Sequence, residues 1–474
     1  MRQAPVILWF RRDLRLADHA ALGAVVATGR PIVPVFIHDE TVDLLGAAAK
    51  WRLGEGLRVF AGALEAIGAR LILRRGAALD VLCSIVGEVG AGAVFWQRVY
   101  DRDGIERDRA VKAALKSASV EARSFAGATV FEPWDVATGS GTPYKVFTPF
   151  WRAIRGRQAG GILAPPDALA APETWPVSDS LEDWAIGAAM DRGAAIVARH
   201  AGIGEAAAWD RLDRFRAGRL ENYVEDRDYP ARHGTSGLSE NLAWGEISPR
   251  AVWLTALGDW QAGRPGAEKF LSELGWREFA WHLMYHAPDL DRANWRPGWD
   301  AFPWRGDSAD AERWRRGLTG EPFVDAAMRE MYVTGRMHNR ARMIAASYLT
   351  KNLLTDWRVG LAWFAECLTD WDPAANALGW QWVAGSGPDA APFFRIFNPR
   401  LQAERFDPDG AYRASFIAEG QSAPPNTARE YFEAVPRSWH LSPGDRYPAP
   451  LADLSASRKR ALDAYGGMDA APAR

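Results

Sequence analysis

Cysteine is nearly absent from this chain of 474 residues, which contains only Cys83 and Cys367. The two are far apart and neither belongs to a Cys-x-x-Cys pair, so the sequence offers no disulfide framework and no zinc site. We therefore expect a protein without a structural metal, suited to a reducing cytoplasm.

Lysine is also scarce, since it supplies seven of the 57 basic residues, and the formal net charge is −2. This balance excludes a protein that is basic over its whole surface, so any contact with nucleic acid requires a local patch. The preference for arginine fits a GC-rich genome, although the planar guanidinium group also binds phosphate in a bidentate way that lysine cannot.

Long apolar runs and low-complexity segments are missing as well. The run VILWF at residues 6–10 is too short for a signal peptide or a membrane span. Hydrophobic residues at 48% and charged residues at 24% are ordinary for a soluble protein. Because 474 residues are too many for one ordinary core, we expect two domains and a connection between them.

No Gly-x-Gly-x-x-Gly turn follows the first apolar run, which argues against a Rossmann-type dinucleotide site. Short apolar runs nevertheless alternate with helical patterns through residues 1–131, which predicts an α/β domain with a doubly wound parallel sheet. Residues 132–184 are dense in Gly, Pro and Ser and indicate a connector over the surface. Apolar residues at helical spacing predict that residues 185–474 form an all-α domain that holds the chemistry.

Tryptophan is unusually abundant, with 23 residues. Buried indoles need acceptors for their N–H groups, so this number fits aromatic stacking or electron transfer as well as a large helical core. The densest stretch is LTDWDPAANALGWQWVA at residues 368–384, where Asp370 and Asp372 flank Trp371. Acids beside a buried-looking indole are costly unless paired, so they indicate either a helix end or a ligand with hydrogen-bond donors.

This stretch resembles the flavin-binding core of the DNA photolyase and cryptochrome family, and further segments resemble the family in family order. They are FRRDLRLADHAAL (10–22), TSGLSENL (235–242), WREFAWHL (276–283), VDAAMRE (324–330), MHNRARMIAASYLTKNLLTDWR (337–358) and FFRIFNPRLQAERFDPDG (393–410). The resemblance covers nearly the whole chain, and ELGWREFAWHL is most similar to the class III branch. It implies an FAD-dependent lyase that uses blue light to open cyclobutane pyrimidine dimers in DNA by electron transfer to a flipped-out dimer.

For the cofactor, the resemblance implies a diphosphate cradle closed by Tyr223 and formed by Thr235, Ser236, Gly237, Leu238 and Ser239. Taken alone, those hydroxyls before a helical pattern indicate only a helix cap. At the flavin ring, the resemblance implies Arg342 held by Asp370, Asp372 as acceptor for a ring N–H, and Asn376 facing flavin N5, with Trp276 and Glu278 also at the cofactor. An amide at Asn376 adds no charge, which suits a flavin kept fully reduced.

For the substrate, WREFAWHL puts Glu278 and Trp281 at i and i+3 on one helix face, and Trp382 supplies a second aromatic wall. Two indoles beside a carboxylate suit a flipped pair of neighbouring pyrimidines, whereas the alternative is a buried Trp pair with Glu278 satisfied by Arg277 or a backbone N–H. The family resemblance favours a dimer pocket that also includes Asn339 and Met343. Candidates for phosphate contacts at its rim are Arg227, Arg340, Arg395 and Arg400. Six-four photolyases carry paired histidines where this chain has only His338.

Three tryptophans match the family's electron-transfer chain, namely Trp380, Trp357 and Trp304, and for each of them core packing is the competing explanation. The resemblance also implies a second, antenna pigment, for which we favour methenyltetrahydrofolate over a deazaflavin. Its candidate contacts are Glu106, Trp51 and Trp134.

Two other functions stay open. The first is a cryptochrome-type blue-light receptor without repair activity, against which the amide at Asn376 argues. The second is a helical nucleic-acid-binding protein without a cofactor. We expect a monomer whose partner is damaged DNA, with no membrane association.

Overall fold

The computed structural model describes residues 3–389 and 394–469, so Phe393, the first residue of the family-like segment 393–410, lies outside the described residues. The N-terminal part is built on a five-stranded sheet in which every neighbouring pair is parallel, with the strand order β3-β2-β1-β4-β5. Its strands are β1 (Val6–Phe10), β2 (Ile32–His38), β3 (Ile72–Arg75), β4 (Ala93–Gln97) and β5 (Glu121–Phe125).

Helices cover both faces of this sheet. They are α1 (Ala20–Val26), α2 (Glu40–Asp43), α3 (Ala47–Ala66), α4 (Ala78–Val89) and α5 (Arg102–Ser117). Successive residues of β1 enter different cores, since Leu8 packs in one apolar cluster and Ile7 and Trp9 pack in the other. Such alternation is what a buried strand requires, and it confirms the predicted doubly wound α/β domain.

The connector at residues 132–184 is ordered and adheres to the sheet. It contains a 3₁₀ turn (Pro133–Asp135), α6 (Phe147–Ile154) and α7 (Leu181–Trp184). The backbone N–H of Asp179 donates to the carbonyl of Leu73 at 2.8 Å, and the N–H of Ile32 donates to the carbonyl of Ala170 at 2.8 Å. These bonds satisfy backbone groups at the margin of the sheet.

The remainder of the described chain is helical, as predicted. Its α-helices are α8 (Gly193–Val197), α9 (Glu205–Gly218), α10 (Tyr223–Asp226), α11 (Ser239–Ala243), α12 (Pro249–Gln261), α13 (Ala267–His286), α14 (Ala309–Arg315), α15 (Pro322–Thr334), α16 (Asn339–Ser347), α17 (Trp357–Cys367), α18 (Pro373–Ala384), α19 (Pro399–Phe406), α20 (Ala411–Phe416), α21 (Asn426–Ala434) and α22 (Leu454–Asp469). The chain leaves the helical conformation between α8 and α9, where Gly204 has a φ of 90° that an α-helix cannot contain. A π-turn at Tyr348–Asn352 follows α16.

The two domains meet through backbone as well as side chains. Gly245, with a φ of 63°, lies so close to the N-terminal domain that an added Cβ would overlap the backbone of Arg12 and Asp13. Arg52 of α3 pairs with Glu240 at 2.9 Å and with Glu246 at 2.6 Å, all three side chains being buried. This interface fixes the helical domain against the sheet domain. None of the described helices has the length and apolarity to cross a membrane.

Candidate functional site

A cavity of about 1550 Å³ opens into the helical domain between α11, α13, α16 and α18. Nine arginines and one lysine line its described wall against six carboxylates. The cavity is therefore positive although the chain carries a net charge of −2, and its size and charge suit a large anionic ligand.

One end of the cavity is lined by all five residues of the predicted cradle, Thr235 to Ser239, and by Tyr223. Arg211 donates to the carbonyl of Gly237 at 3.3 Å, and Arg219 donates to the carbonyl of Thr235 at 3.4 Å. Within residues 3–389 and 394–469, neither Arg219 nor Arg336 forms an ion pair with a carboxylate, although both line the cavity. Guanidinium groups of this kind suit a diphosphate.

The floor of the cavity is formed by the stretch from which α18 begins. Arg342 donates to both oxygens of Asp370, at 2.7 and 2.9 Å. Asp372 caps α18 by accepting from the N–H of Ala375 at 2.9 Å, and the side-chain amide of Asn376 donates to the carbonyl of Asp372 at 2.9 Å. This bond uses an Asn376 N–H and leaves its amide oxygen as an acceptor for a donor in the cavity.

The helix α13 turns a different face to the cavity from the one we predicted. Its cavity-lining residues are Phe270, Glu273, Leu274, Trp276, Arg277 and Ala280, with Lys269 beside them. Glu278 and Trp281 are not among them, so the expectation that they form the dimer pocket is wrong. Because each residue turns a helix by about 100°, Glu278 and Trp281 lie well round the helix from Glu273 and Trp276.

Glu278 is instead buried under the connector. Its carboxylate accepts from the backbone N–H groups of Val130 at 2.8 Å and Phe131 at 3.2 Å. Burial raises the pKa of Glu278 to about 7, against the opposing charge of Arg277 and these two hydrogen bonds. The alternative in which backbone N–H groups satisfy Glu278 is therefore the one observed.

The cavity wall carries two half-buried indoles, Trp276 and Trp382. Trp276 stacks on Phe147 with 3.7 Å between ring centroids and 9° between planes, which fixes its orientation. The indole N–H of Trp382 donates to the carbonyl of Asp389 at 3.1 Å. The places expected of Trp281 and Glu278 are occupied by Trp276 and Glu273. The sequence predicts Trp276 only as a cofactor contact, and it does not indicate Glu273.

The rim of the cavity contains four of the predicted contacts, Asn339, Met343, Arg227 and Arg340. Arg227 pairs with Glu273 at 3.0 Å, and Arg340 pairs with Asp228 at 2.8 Å.

Two arginines predicted at the rim lie elsewhere. Arg395 is exposed over the ring of Phe397, and Arg400 pairs with Glu321 at 2.9 Å. Neither lines the cavity, so the prediction that Arg395 and Arg400 lie at its rim is wrong.

His338 caps the helix α16, because its Nδ1 accepts from the N–H of Arg340 at 3.2 Å. Burial lowers the pKa of His338 to about 4, so the ring is a neutral hydrogen bonder.

The three tryptophans of the predicted electron chain border the same apolar cluster, since Trp357 and Trp380 are buried in it and Trp304 packs against it. Trp380 lines the cavity, and an added Cβ at Gly360 would overlap its indole ring. Trp357 precedes Gly360 by one turn of α17, and its indole N–H donates to Asn294 at 2.9 Å. Trp304 is followed by Arg305, whose backbone N–H donates to the carbonyl of Leu354 at 2.7 Å and whose carbonyl accepts from the N–H of Asp356, just before Trp357, at 2.8 Å.

The three antenna candidates do not meet at one place. Trp51 is 7% exposed and is covered by Gly187, so it offers no free face for stacking and that prediction is wrong. Trp134 is 42% exposed, and its ring centroid lies 5.4 Å from that of Tyr285. Glu106 contacts Arg102, which reaches Asp289 on the segment after α13.

A doubly wound sheet domain docked on a helical domain, with a positive cavity whose residues fit the diphosphate and ring of FAD, defines a two-domain flavoprotein. Residues 6–173 match the family model described as "DNA photolyase", and residues 270–467 match "FAD binding domain of DNA photolyase". The chain therefore belongs to the DNA photolyase and cryptochrome family.

Similar proteins from bacteria agree with this assignment. Over 473 residues the chain is 44% identical to the deoxyribodipyrimidine photo-lyase of Agrobacterium fabrum, covering 99% of each chain. A class III photolyase structure from Agrobacterium tumefaciens superposes with a TM-score of 0.91 at 43% identity, covering 99% of each chain. A cryptochrome from Synechocystis matches with a TM-score of 0.83 at 27% identity, covering 98% of this chain and 100% of that one. The predicted similarity to the class III branch is thus confirmed.

Proposed function

We propose that this chain is a deoxyribodipyrimidine photo-lyase, a light-driven enzyme that opens cyclobutane pyrimidine dimers in DNA. One observation carries the proposal: Asn376, Trp276 and Trp382 line the same cavity. A flipped dimer in contact with both indoles would therefore also lie beside the flavin-binding floor. The relatives that carry this enzyme name support the same activity.

The residues of α13 would recognise the dimer. Trp276 is held by Phe147, so it offers a preformed stacking surface at little cost in side-chain entropy. Glu273 is paired with both Arg227 and Lys269, at 3.0 and 2.8 Å. Because two cations share one carboxylate, Arg227 can turn to a DNA phosphate while Glu273 stays paired and accepts from the N–H edge of a base.

When bound and fully reduced, FAD supplies the photoexcited electron that opens the cyclobutane ring and takes that electron back. Arg342, oriented by Asp370, puts a positive charge beside the ring site, where it offsets the charge of a reduced ring. Asn376 offers a neutral oxygen acceptor, which stabilises a ring N–H without adding a negative charge to the two aspartates nearby. Tyr223 and residues 235–239 would hold the diphosphate.

Trp380, Trp357 and Trp304 would carry electrons from the surface toward the cavity when the cofactor is oxidised. Two observations support this route: Trp380 lies against Gly360 of α17, and all three indoles belong to or pack against one apolar cluster. Trp314, whose ring centroid lies 6.1 Å from that of Trp380, is the competing partner.

A second pigment would lie where Trp134 faces Tyr285 beside the Arg102–Asp289 pair. An exposed indole next to mixed charges suits the pterin and glutamate of methenyltetrahydrofolate, so we retain that pigment. We further expect a monomer that acts on DNA in the cytoplasm.

The test is to illuminate the chemically reduced protein with an oligonucleotide that contains one thymine dimer, and to follow the ultraviolet absorbance of the restored thymines. We expect recovery in light and none in darkness. A protein that binds FAD and responds to light but restores no thymine would instead be a receptor of the cryptochrome type. A purified protein without flavin would rule out both functions.

A further inference from the structure

Arg52 belongs to the sheet domain, yet its guanidinium group lies inside the helical domain. Its Nε donates to Glu240 at 2.9 Å, and its two terminal nitrogens donate to Glu246 at 2.9 and 2.6 Å. The residue is fully buried. One guanidinium therefore spans two buried carboxylates across the domain interface.

Glu240 is the immediate neighbour of Ser239, the last residue of the proposed diphosphate cradle. Its other oxygen accepts from Arg211 at 3.0 Å, and the same nitrogen of Arg211 donates to the carbonyl of Gly237 at 3.3 Å. Asn241 closes the network, since it accepts from Arg211 at 2.7 Å and donates to Glu246 at 2.6 Å. A continuous set of charged hydrogen bonds thus leads from Arg52 to the backbone of the cradle.

The cradle depends on this network because its own helix is weak. The helix α11 has five residues, and no side chain caps its start. So short a helix is unstable alone and takes its position from tertiary contacts. Burial by itself raises the pKa of Glu240, but the charges of Arg52, Arg336 and Arg211 hold that pKa below its usual value, so the carboxylate stays ionised and paired.

We infer that Arg52 is a positioning residue for FAD, which holds the diphosphate cradle in its binding geometry through Glu240 and Arg211. This inference rests on the proposed cradle at residues 235–239. It makes the sheet domain part of the flavin site, although no residue of that domain lines the described cavity wall. Lysine could not replace Arg52, because an ammonium group lacks the planar fork that serves two carboxylates at once.

The experiment compares Arg52→Lys with a control that weakens another charged contact across the same interface. Asp18 of the sheet domain is 2% exposed and bonds to Ser248 and Arg250 of the helical domain, none of which lines the cavity. The dissociation constant of FAD is measured by fluorescence titration of each apoprotein, together with its thermal unfolding. We expect Arg52→Lys to weaken FAD binding about tenfold or more, and Asp18→Asn to change it less than about twofold at a similar loss of stability.

A double-mutant cycle separates positioning from general stability. If Arg52 acts through Glu240, Arg52→Lys should have little further effect on FAD affinity in a Glu240→Gln background. If Arg52→Lys does not fold, Glu246→Gln removes the other anchor of the guanidinium and should weaken FAD binding in the same direction.

Three outcomes would overturn the inference: unchanged FAD affinity in Arg52→Lys, equal losses in Arg52→Lys and Asp18→Asn, or additive effects in the cycle. A wild-type protein that binds no FAD would contradict the proposed function itself, whereas tight binding by wild type with any of these outcomes would contradict only the role of Arg52.

Discussion

The indole N–H of Trp281 donates to Oδ2 of Asp372 at 3.1 Å, while the other oxygen of Asp372 caps α18. Trp281 thus joins α13 to the start of the helix that carries Asn376. The ring of Trp281 supports the floor of the cavity from behind and does not form its wall. Trp276 of the same helix lines the cavity, so the two tryptophans have different roles.

Replacement of Trp276 with alanine should lower the affinity for dimer-containing DNA about tenfold or more, because a stacked base loses on the order of 1 to 3 kcal/mol with its aromatic partner. Trp281→Phe is the matched control and should mainly reduce thermal stability, since it leaves Asp372 without that donor. DNA affinity is measured by fluorescence anisotropy. Loss of affinity in Trp281→Phe with wild-type affinity in Trp276→Ala would reverse our assignment of the two indoles.

Replacement of Glu278 with glutamine should change how stability depends on pH. Because burial raises the pKa of Glu278 from 4.5 to about 7, the unfolded chain releases this proton at lower pH than the folded protein. The stabilising contribution is complete below pH 4.5 and is lost as the pH rises to about 7. Glu278→Gln should remove this loss, so above neutral pH its free energy of unfolding should exceed that of the wild type by about 2 to 3 kcal/mol.

The measurement for this variant is the denaturant midpoint on both sides of that pH range. The exposed Glu404→Gln is the control and should follow wild type at each pH. An unchanged pH profile in Glu278→Gln would show that folding does not raise the pKa of Glu278.

Replacement of Asn376 with aspartate should make the reduced flavin harder to maintain. The new carboxylate would lie one helical turn from Asp372, and a negative charge at this place opposes the charge of a reduced ring. Asn376→Ser removes the amide without adding charge and should alter the reduction potential less. Spectroelectrochemical titration of the flavin measures both, and a higher potential in Asn376→Asp than in wild type would contradict this role.

Replacement of Trp304 with phenylalanine should slow photoreduction of oxidised protein by at least tenfold, since the chain then lacks its outer indole, while repair by chemically reduced protein continues. Trp314→Phe tests the competing route beside Trp380 and should leave photoreduction near the wild-type rate. Flavin absorbance under blue light follows the reaction. If photoreduction were slow in Trp314→Phe and normal in Trp304→Phe, the electrons would pass through Trp314.

The sequence predicted the two fold classes well, because apolar residues recur at different spacings in buried strands and in helices. It missed β5, whose residues EARSF lie at the edge of the sheet and lack an apolar run. It also selected the wrong face of α13. Glu273 with Trp276 and Glu278 with Trp281 have the same i, i+3 spacing, and α13 has buried residues around most of its circumference, so no polar stripe distinguishes the two faces.

The cationic end of the cavity could not be predicted for a different reason. Arg211, Arg219 and Arg336 come from separate parts of the chain, and only tertiary packing brings them to the cradle. In an arginine-rich sequence, nothing local distinguishes such residues from ordinary surface arginines.

The close approach of Gly245 to the backbone of Arg12 and Asp13 has a consequence for light harvesting. Main-chain atoms have no rotamers, so a joint made of them tolerates little sliding or tilting. Resonance transfer falls steeply with separation and depends on the angle between the transition dipoles. A pigment held at the junction of the two domains would therefore keep a constant orientation toward the flavin, and the rigid contact between the two backbones would keep its transfer efficiency constant.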